Sequence, residues 1–313
     1  MNNHSTKAAG VDIGKAALDV AIFSSAQRWR FSNDDAGRSA LVALLREHGV
    51  GRVGLEASGG YERPAVETLR DAEFEVIVFQ PRQVRAYAAY RLRRAKTDRI
   101  DAGLIAACAA DHGPARAAPD PRLAALAEPL RWLEQIEDDI ARLKTRREAY
   151  RDEAILAQLD EEIVRLKALR VRQIKLLRSA LSRYADMARR MEIIASVPGV
   201  GERTALTLLI AMPELGSLSR EEAASLAGLA PFDHSSGKHD GRRNIVGGRA
   251  NVRTALYAAA LPAAFRWNKA LVAFYQRLKT AGKSHKQALV ACARKLLIYV
   301  NTVVARDAPW KAA

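Results

Sequence analysis

Residues 1–115 alternate short apolar runs with segments of helical spacing. Two apolar runs, Ala9–Asp12 and Leu18–Phe23, flank a turn at Gly14, and Arg28–Ser32 can add a third strand, so the start predicts an antiparallel meander. The next predicted elements are a helix over 34–48, a strand over 52–56, a helix that begins near Pro64, a strand over 74–79 and a helix over 97–110. This order predicts a mixed sheet covered by helices, which is an α/β layer domain.

The middle of the chain has a different pattern. From about Pro119 to Met191 it contains no glycine, and apolar residues recur three and four positions apart. The three sets with this spacing are Ile136, Ile140 and Leu143; Leu159, Ile163 and Leu166; and Ile174, Leu177 and Leu181. They predict a pair of long helices or an antiparallel coiled coil that could join subunits. A helical hairpin packed on its own domain fits the same spacing.

The last part of the chain is helical except for one polar, glycine-containing stretch, Pro231–Gly248. Long polar segments between helices often contain binding or catalytic residues. The three patterns together predict three domains: an α/β domain over 1–115, long helices over 116–191 and a helical domain over 192–313.

The charge of the chain points to a polyanionic partner. Among 313 residues there are 50 Lys and Arg against 35 Asp and Glu, which gives a net charge of +15. Arginine accounts for 37 of the 50 cations, and arginine suits bidentate contact with phosphate. Nucleic acid is therefore a better candidate than a membrane.

Several classes of protein are excluded by composition. The two cysteines, Cys108 and Cys292, lie in apolar helical stretches and can build neither a disulfide framework nor a cysteine zinc site. The first residues lack the apolar core of a signal peptide, and Arg294 and Lys295 interrupt the longest C-terminal apolar run. We expect a soluble, cytoplasmic protein that associates with the nucleoid when bound to DNA. Without a P-loop lysine motif, an enzyme of this sequence would not run on ATP.

Four carboxylates form the first candidate site. Asp12 lies on the first predicted strand and Glu56 closes the fourth, and strand ends in such sheets converge on one edge. Asp98 and Asp101 are three apart at the start of the helix over 97–110, so both project from one face. Four oxygen ligands suit Mg²⁺, and two such ions roughly 4 Å apart can support phosphoryl transfer. Taken singly, each acid has a structural explanation, such as the helix dipole for the pair.

A basic run lies next to that pair. Its seven cations, with Tyr87 and Tyr90 interleaved, are Arg82, Arg85, Arg91, Arg93, Arg94, Lys96 and Arg99. Cations mixed with aromatic rings are typical of a groove for backbone phosphates, where the rings can stack on bases. A solvated helix face is the alternative, although seven like charges repel one another without a counter-ion.

Two motifs in the last region could also carry chemistry. Ser196–Ala205 has the look of a helix-hairpin-helix, in which Gly199 and Gly201 would let backbone N–H groups hold a phosphate. Further on, Ser235 and Ser236 precede a glycine, and a serine ringed by cations can attack a phosphodiester. The cations predicted to contact phosphate here are Lys238, Arg242, Arg243, Arg249 and Arg253. By itself, Ser-Gly is foremost a turn dipeptide.

Four of these segments together resemble the IS-one-ten family of insertion-sequence transposases. They are Gly10–Lys15, Glu56–Tyr61, Lys96–Ala102 and Gly228–Tyr257. They occur in the family's order and cover both ends of the chain, while the helical middle is unspecific. The predicted order of strands and helices is likewise that of a ribonuclease H-like domain.

The resemblance implies an N-terminal RuvC-like domain whose DEDD metal site would be Asp12, Glu56, Asp98 and Asp101. It also implies a C-terminal transposase domain whose catalytic serine would be Ser236, with the neighbouring Ser235 as an alternative. Family members act as recombinases guided by a structured noncoding RNA encoded by the element, and the charge of +15 is compatible with such a partner. A homo-oligomer, dimer or tetramer, would let Ser236 of one subunit work with the carboxylates of another.

The leading interpretation is therefore a Mg²⁺-dependent DNA recombinase, the transposase of a mobile element. The second is a RuvC-like junction nuclease, in which the carboxylates cut with water and Ser236 is structural. The third is a nucleic-acid-binding protein without catalysis. The first predicts a covalent bond between protein and DNA, the second hydrolysed ends, and the third binding alone.

Overall fold

The computed structural model describes residues 7–91, 98–113, 120–232, 244–245 and 247–311. Contacts within the chain divide it into two compact units, Met1–Ala118 and Pro119–Ala313. The first contains the sheet predicted for residues 1–115, and we call it the sheet unit. The second, which we call the helical unit, contains both the long helices of the middle and the C-terminal helices.

The sheet unit is built on five strands: β1 (Lys7–Ile13), β2 (Ala17–Ile22), β3 (Arg28–Ser32), β4 (Val50–Glu56) and β5 (Glu75–Phe79). Their order across the sheet is β3-β2-β1-β4-β5. The first three strands form the antiparallel meander predicted from sequence, while β4 and β5 are parallel to β1. The predicted mixed α/β class is therefore confirmed.

Helices cover both faces of this sheet. They are α1 (Asp35–Glu47), α2 (Arg63–Asp71), α3 (Pro81–Tyr90) and α4 (Asp98–Asp111). Alternate residues of β1, such as Val11, pack with Leu41 of α1 and Leu69 of α2. On the other face, Ala8 packs with Ile105 of α4. Because side chains alternate across a strand, each polar residue of β1 can be assigned to one face.

The helical unit contains α5 (Pro121–Ala124), α6 (Ala127–Ala149), α7 (Glu153–Ser182), α8 (Ala185–Ala195), α9 (Glu202–Ala211), α10 (Arg220–Leu226), β6 (Pro231–Phe232), β7 (Asn244–Ile245), α11 (Ala250–Pro262), a π-helical turn over Ala263–Trp267, α12 (Lys269–Thr280) and α13 (His285–Ala305). Helices α8 to α13 share one large apolar cluster, which also takes in Leu177 and Leu181 of α7. One end of each long helix of the middle is thus packed into the core of this unit.

Helices α6 and α7 form an antiparallel hairpin. Ile136 and Ile140 of α6 pack against Leu166 of α7, as the heptad-like spacing suggests. Close to the turn, Arg147 donates to Asp160 at 2.6 Å, and at the far end Gln173 donates to the Pro129 carbonyl at 3.2 Å. The pair of long helices is therefore present, whereas their use as a coiled coil between subunits stays a prediction.

Helix α13 is long and apolar enough to cross a membrane, but it is the central helix of the helical unit. Half of its most apolar window is buried, and Leu289, Cys292 and Leu296 are fully inaccessible. Cys108 and Cys292 are both free and buried, and burial raises the pKa of the Cys292 thiol to about 11. We interpret α13 as a core helix.

Candidate active site

Two of the predicted carboxylates lie side by side at the carboxyl ends of neighbouring parallel strands. In the register of β1 and β4, Gly10 is opposite Gly54 and Val11 is opposite Leu55. The next pair in this register is Asp12 with Glu56, and both side chains are half-buried. Because residues opposite one another point to the same face of a sheet, the two carboxylates share one face.

Helix α4 lies on that face and packs directly against the backbone of both strands. A Cβ atom on Gly10 would lie 2.2 Å from the Ala102 carbonyl oxygen, and one on Gly54 would lie 2.8 Å from the Cβ of Ala109. These approaches leave no room for a side chain. Each glycine precedes its carboxylate, Asp12 or Glu56, by two positions in the strand, so it shares that residue's face.

The direction of α4 brings its first turn to the carboxylate edge. Arg52, near the start of β4, donates from Nη1 to the His112 carbonyl oxygen, just beyond the end of α4, at 2.8 Å. The helix therefore runs antiparallel to β1 and β4. Its first turn contains Asp98 and Asp101, whose side chains lie outside the described part of the structure.

The donor set suits a divalent metal. The backbone brings four acidic positions to one edge, and carboxylate oxygens are the ligands that hard cations prefer. Within residues 7–91, 98–113, 120–232, 244–245 and 247–311, the described side chains contain no group of three or more potential metal ligands. Asp12 and Glu56 are two of the four predicted ligands, and the other two predicted ligands belong to the first turn of α4.

A further acid lies next to Asp12, although within the described residues it does not form a group of three potential ligands with the pair. Asp19 of β2 lies opposite Asp12 in the antiparallel ladder and therefore on the same face. It forms an ion pair with Arg30 of β3 at 3.8 Å, and its side chain is 20% exposed. In the sequence, Asp19 is a single polar residue within an apolar strand. Its position next to Asp12 follows only from the register of β1 and β2.

Glu62, which no sequence pattern singles out, organises the loop after β4. Its carboxylate accepts from the backbone N–H of Ser58 at 3.0 Å and of Gly60 at 2.8 Å, and from the Ser58 hydroxyl at 3.1 Å. Burial opposes ionisation of Glu62, but these hydrogen bonds outweigh it and lower the pKa of the carboxyl group. Gly59 and Gly60 have positive φ, so this loop needs glycine. Glu62 thereby fixes the chain next to Glu56.

The basic run is described only in part. On α3, Arg82 and Arg85 are exposed, as is Arg91 just beyond it. Tyr87 donates to the Asp111 carboxylate, and burial together with this hydrogen bond raises the pKa of Tyr87 to about 12. Its neighbour Tyr90 is 78% exposed and is better placed for stacking. Outside the described residues lie Arg93, Arg94, Lys96 and the side chain of Arg99.

In the turn that precedes α9, Gly199 and Gly201 differ in how strongly the structure requires glycine. Gly199 has a φ of 99°, and a Cβ there would lie 2.3 Å from the Cβ of Ala263, so packing alone requires glycine. Gly201 is the N-cap of α9 and has nothing within 4 Å of its ideal Cβ position. Glu202 occupies the first turn of α9 and pairs with Arg178 at 3.2 Å.

The predicted serine loop is closed at its base by a short antiparallel ladder. Pro231 pairs with Ile245 and Phe232 with Asn244. Ser235, Ser236, Lys238, Arg242 and Arg243 fall between these strands and lie outside the described residues.

The two described cations after this loop are engaged by the protein itself. Arg249 donates from Nη1 to the Ala211 carbonyl oxygen at 2.8 Å and from both terminal nitrogens to Glu214, at 2.8 and 2.6 Å. Arg253 donates from Nη1 to the Gly247 carbonyl oxygen at 2.7 Å. Both arginines therefore hold the region that follows the serine loop, and contact with phosphate stays a prediction for each.

A mixed five-stranded sheet with Asp12 and Glu56 at one edge is consistent with a nuclease-like domain of the carboxylate class. Residues 9–158 match the DEDD transposase family model of the IS110 type, and residues 191–276 match the model of the Transposase IS116/IS110/IS902 family. The chain belongs to the IS110 family of transposases, which is the IS-one-ten family that its motifs resemble.

Similar proteins agree with this membership. The pilin gene-inverting proteins of Moraxella bovis and Moraxella lacunata are each 28% identical to this chain, over 96% of both chains. An uncharacterized 43.6 kDa protein of insertion element IS110 from Streptomyces coelicolor is 36% identical over 33% of this chain and 26% of its own length. Membership implies a DNA substrate, recombinase or nuclease activity, and in general the use of a divalent metal.

Proposed function

We propose that the protein cleaves and exchanges DNA strands at the ends of an insertion sequence, with Mg²⁺ and a serine nucleophile. The observation that carries this proposal is the alignment of Asp12 and Glu56 beneath the first turn of α4. A metal site of Asp12, Glu56, Asp98 and Asp101 would use two bound ions. When bound, Mg²⁺ would neutralise the phosphate and lower the pKa of the attacking hydroxyl.

Ser236 is the proposed nucleophile, with Ser235 as the alternative. Its Oγ forms a bond to phosphorus while the bond from phosphorus to the leaving deoxyribose oxygen breaks, and that oxygen takes up a proton. A free hydroxyl of a second strand then attacks the same phosphorus, which joins the strands and returns the serine. Bond energy is conserved, so the exchange needs no ATP.

Strand exchange rather than hydrolysis is supported by the relatives that match along nearly their whole length. Inversion of a gene, which their name states, requires cut strands to be rejoined. Because they cover 96% of this chain, the similarity extends over both units. This favours the recombinase over the junction nuclease and over a protein that only binds.

Nucleic-acid contacts are proposed for the basic run, for the glycine turn and for the cations around the serine loop. The exposure of Arg82, Arg85 and Arg91 and the net charge of +15 support them. The partners would be the element ends, the target DNA and a noncoding guide RNA, with Gly199 and Gly201 forming a helix-hairpin-helix. We expect a cytoplasmic protein that associates with the nucleoid and assembles as a dimer or tetramer.

The proposal is tested with labelled element-junction DNA, the flanking RNA of the element and Mg²⁺, followed by a denaturing gel. We expect label attached to protein, and we expect none with Ser236→Ala. Asp12→Asn should lower its formation at least about 100-fold, because a group that stabilises transition-state charge is lost. Asp19→Asn, on the same face, is the matched control and should lower it much less.

Free cleaved ends that still form with Ser236→Ala would instead establish a metal nuclease. Binding without cleavage in Mg²⁺ or Mn²⁺ would leave a binding protein. A mixture of the Ser236→Ala and Asp12→Ala proteins tests the sharing of sites between subunits: restored activity supports it, and failure to complement speaks against it.

A further inference from the structure

A groove of about 960 Å³ runs along one face of α13 and the segment that follows it. We call it the α13 groove. Its cations are Arg220, Arg294, Lys295, Arg306 and Lys311. Residues 294, 295, 298 and 302 recur at helical spacing and Arg306 caps the helix, so a single face of α13 forms the floor of the groove. Its described lining contains no Asp or Glu.

Aromatic rings line the same groove. The rings of Tyr299 and Trp310 have their centroids 4.7 Å apart, and the Lys295 ammonium lies 4.5 Å from the centroid of Phe274. The backbone N–H of Trp310 donates to the Ser196 hydroxyl at 2.8 Å, which ties the segment after α13 to the end of α8. The rings are thereby held in position rather than left on a loose tail.

The cations of the groove differ from other arginines of the helical unit. Arg122, Arg203 and Arg249, for example, form ion pairs with carboxylates. Among the residues that the structure describes, none of the five groove cations does so. Five like charges around one depression raise its positive potential and attract an anion.

Cations beside partly buried rings suit unpaired nucleotides. Arginine and lysine contact the phosphates, and an aromatic face stacks on a base. In a duplex the bases are already stacked on one another, so the rings of the groove would find no free base. An acidic peptide would satisfy the cations but would leave the rings without a matching partner.

We propose that the α13 groove binds a single-stranded segment of nucleic acid. This deepens the proposed function, because a guided recombinase handles unpaired strands of RNA and of opened DNA. Only the biological source of the single strand rests on the proposed function, since the contacts in the groove require neither metal nor cleavage.

The test measures binding of the full-length protein to labelled 12-nucleotide RNA and DNA without secondary structure, and to a 12-base-pair duplex. Arg294→Gln/Arg306→Gln removes two groove cations, and Arg172→Gln/Lys175→Gln removes two exposed cations of α7 as the matched control. We expect the groove variant to bind single strands at least about 10-fold more weakly. Its salt slope should fall by roughly 1.4, because about 0.7 is lost for each phosphate contact.

Stacking is tested with tryptophan variants. Trp310→Ala should weaken single-strand binding at least about 5-fold, whereas Trp267→Ala, which removes a 62% exposed tryptophan outside the groove, should not. Quenching of fluorescence by the oligonucleotide should disappear in Trp310→Phe. Circular dichroism of each variant verifies folding, and the charge variant tests the groove independently if Trp310→Ala is unstable.

The proposal fails if folded groove variants bind single strands like the wild type, if the control variants lose as much, or if duplex binding falls equally. An acidic peptide that competes as well as the oligonucleotide would also overturn it. Preference for RNA would identify the guide as the ligand, and preference for DNA an opened strand. The binding assay needs neither metal nor cleavage, so failure of the catalytic proposal is distinguished from failure of this one.

Discussion

The carboxylate edge of the sheet unit and the α13 groove of the helical unit are opposite in charge and in how they are assembled. Asp12 and Glu56 come from strands far apart in sequence and meet through register. The cations of the groove lie mainly on one helix and the few residues after it. Register depends on long-range pairing, whereas helical spacing is local.

The difference shows what each kind of site tolerates. At the carboxylate edge, α4 approaches β1 with no space for a methyl group on Gly10. In the helical unit, by contrast, Arg249 and Glu214 hold separate segments together through side chains. A backbone approach has almost no room to adjust, while a side-chain contact can be lost without moving the backbone.

The largest effect is expected from Gly10→Ala in the sheet unit. The new Cβ would meet the Ala102 carbonyl oxygen at 2.2 Å, and we expect the free energy of unfolding to fall by about 3 kcal/mol. Gly14→Ala, whose nearest neighbour is at 3.5 Å, is the control and should change it by less than about 0.5 kcal/mol. Urea unfolding reports on this unit when it is followed through Trp29 fluorescence in a background whose other three tryptophans are replaced by phenylalanine. Equal stability of Gly10→Ala and wild type would contradict the direct contact.

A smaller effect is expected from Arg249→Ala in the helical unit. Its hydrogen bonds to Glu214 and to the Ala211 carbonyl are lost, which should cost about 2 kcal/mol of unfolding free energy. Arg253→Ala loses one described hydrogen bond and should cost about 1 kcal/mol. A cycle with Glu214→Ala measures the coupling. Loss of nucleic-acid affinity at unchanged stability would show instead that Arg249 acts mainly on phosphate.

The smallest effect concerns Glu62, whose pKa is held below its ordinary value of 4.5. A carboxyl group with a lowered pKa stabilises the fold above its unfolded-state pKa, and this contribution is lost as pH falls through the folded-state value. Wild type should therefore lose more stability than Glu62→Gln as the pH falls below the ordinary value of 4.5. At pH 7 we expect Glu62→Gln to be less stable by about 1 kcal/mol or less. Glu67→Gln, on the exposed side of α2, is the control, and parallel pH curves for wild type and Glu62→Gln would refute the role of the loop.

Much of the sheet unit could be predicted because its signals are local. The run Arg28–Ser32 is a strand with the predicted bounds, and the start of α4 differs from the prediction by one residue. Asp12 and Glu56 could be predicted as site residues because Asp12 lies in an apolar run and Glu56 closes one. Asp19 and Glu62 could not, since their partners come from another strand or from backbone N–H groups in a loop.

The α13 groove, in contrast, could not be predicted from the sequence. In the sequence, Arg294 and Lys295 are charges that interrupt an apolar run, and their spacing with residues 298, 302 and 306 does not by itself indicate a groove. What they lacked was the neighbouring Phe274, Arg220 and Trp310, which packing supplies. For the same reason, the spacing of Ile136 and Ile140 predicts a pair of helices but does not indicate which part of the chain they pack against.

By itself, the sequence determined the mixed sheet, the long helices, the transposase family and the preference for a polyanion, because apolar period, short motifs and net charge are properties of the chain. Tertiary structure alone decided that Gly10 admits α4, that Asp12 lies opposite both Asp19 and Glu56, and that five cations of the helical unit share one groove. Those facts depend on strand register and on packing between distant segments, and no local pattern encodes the distance between two such segments.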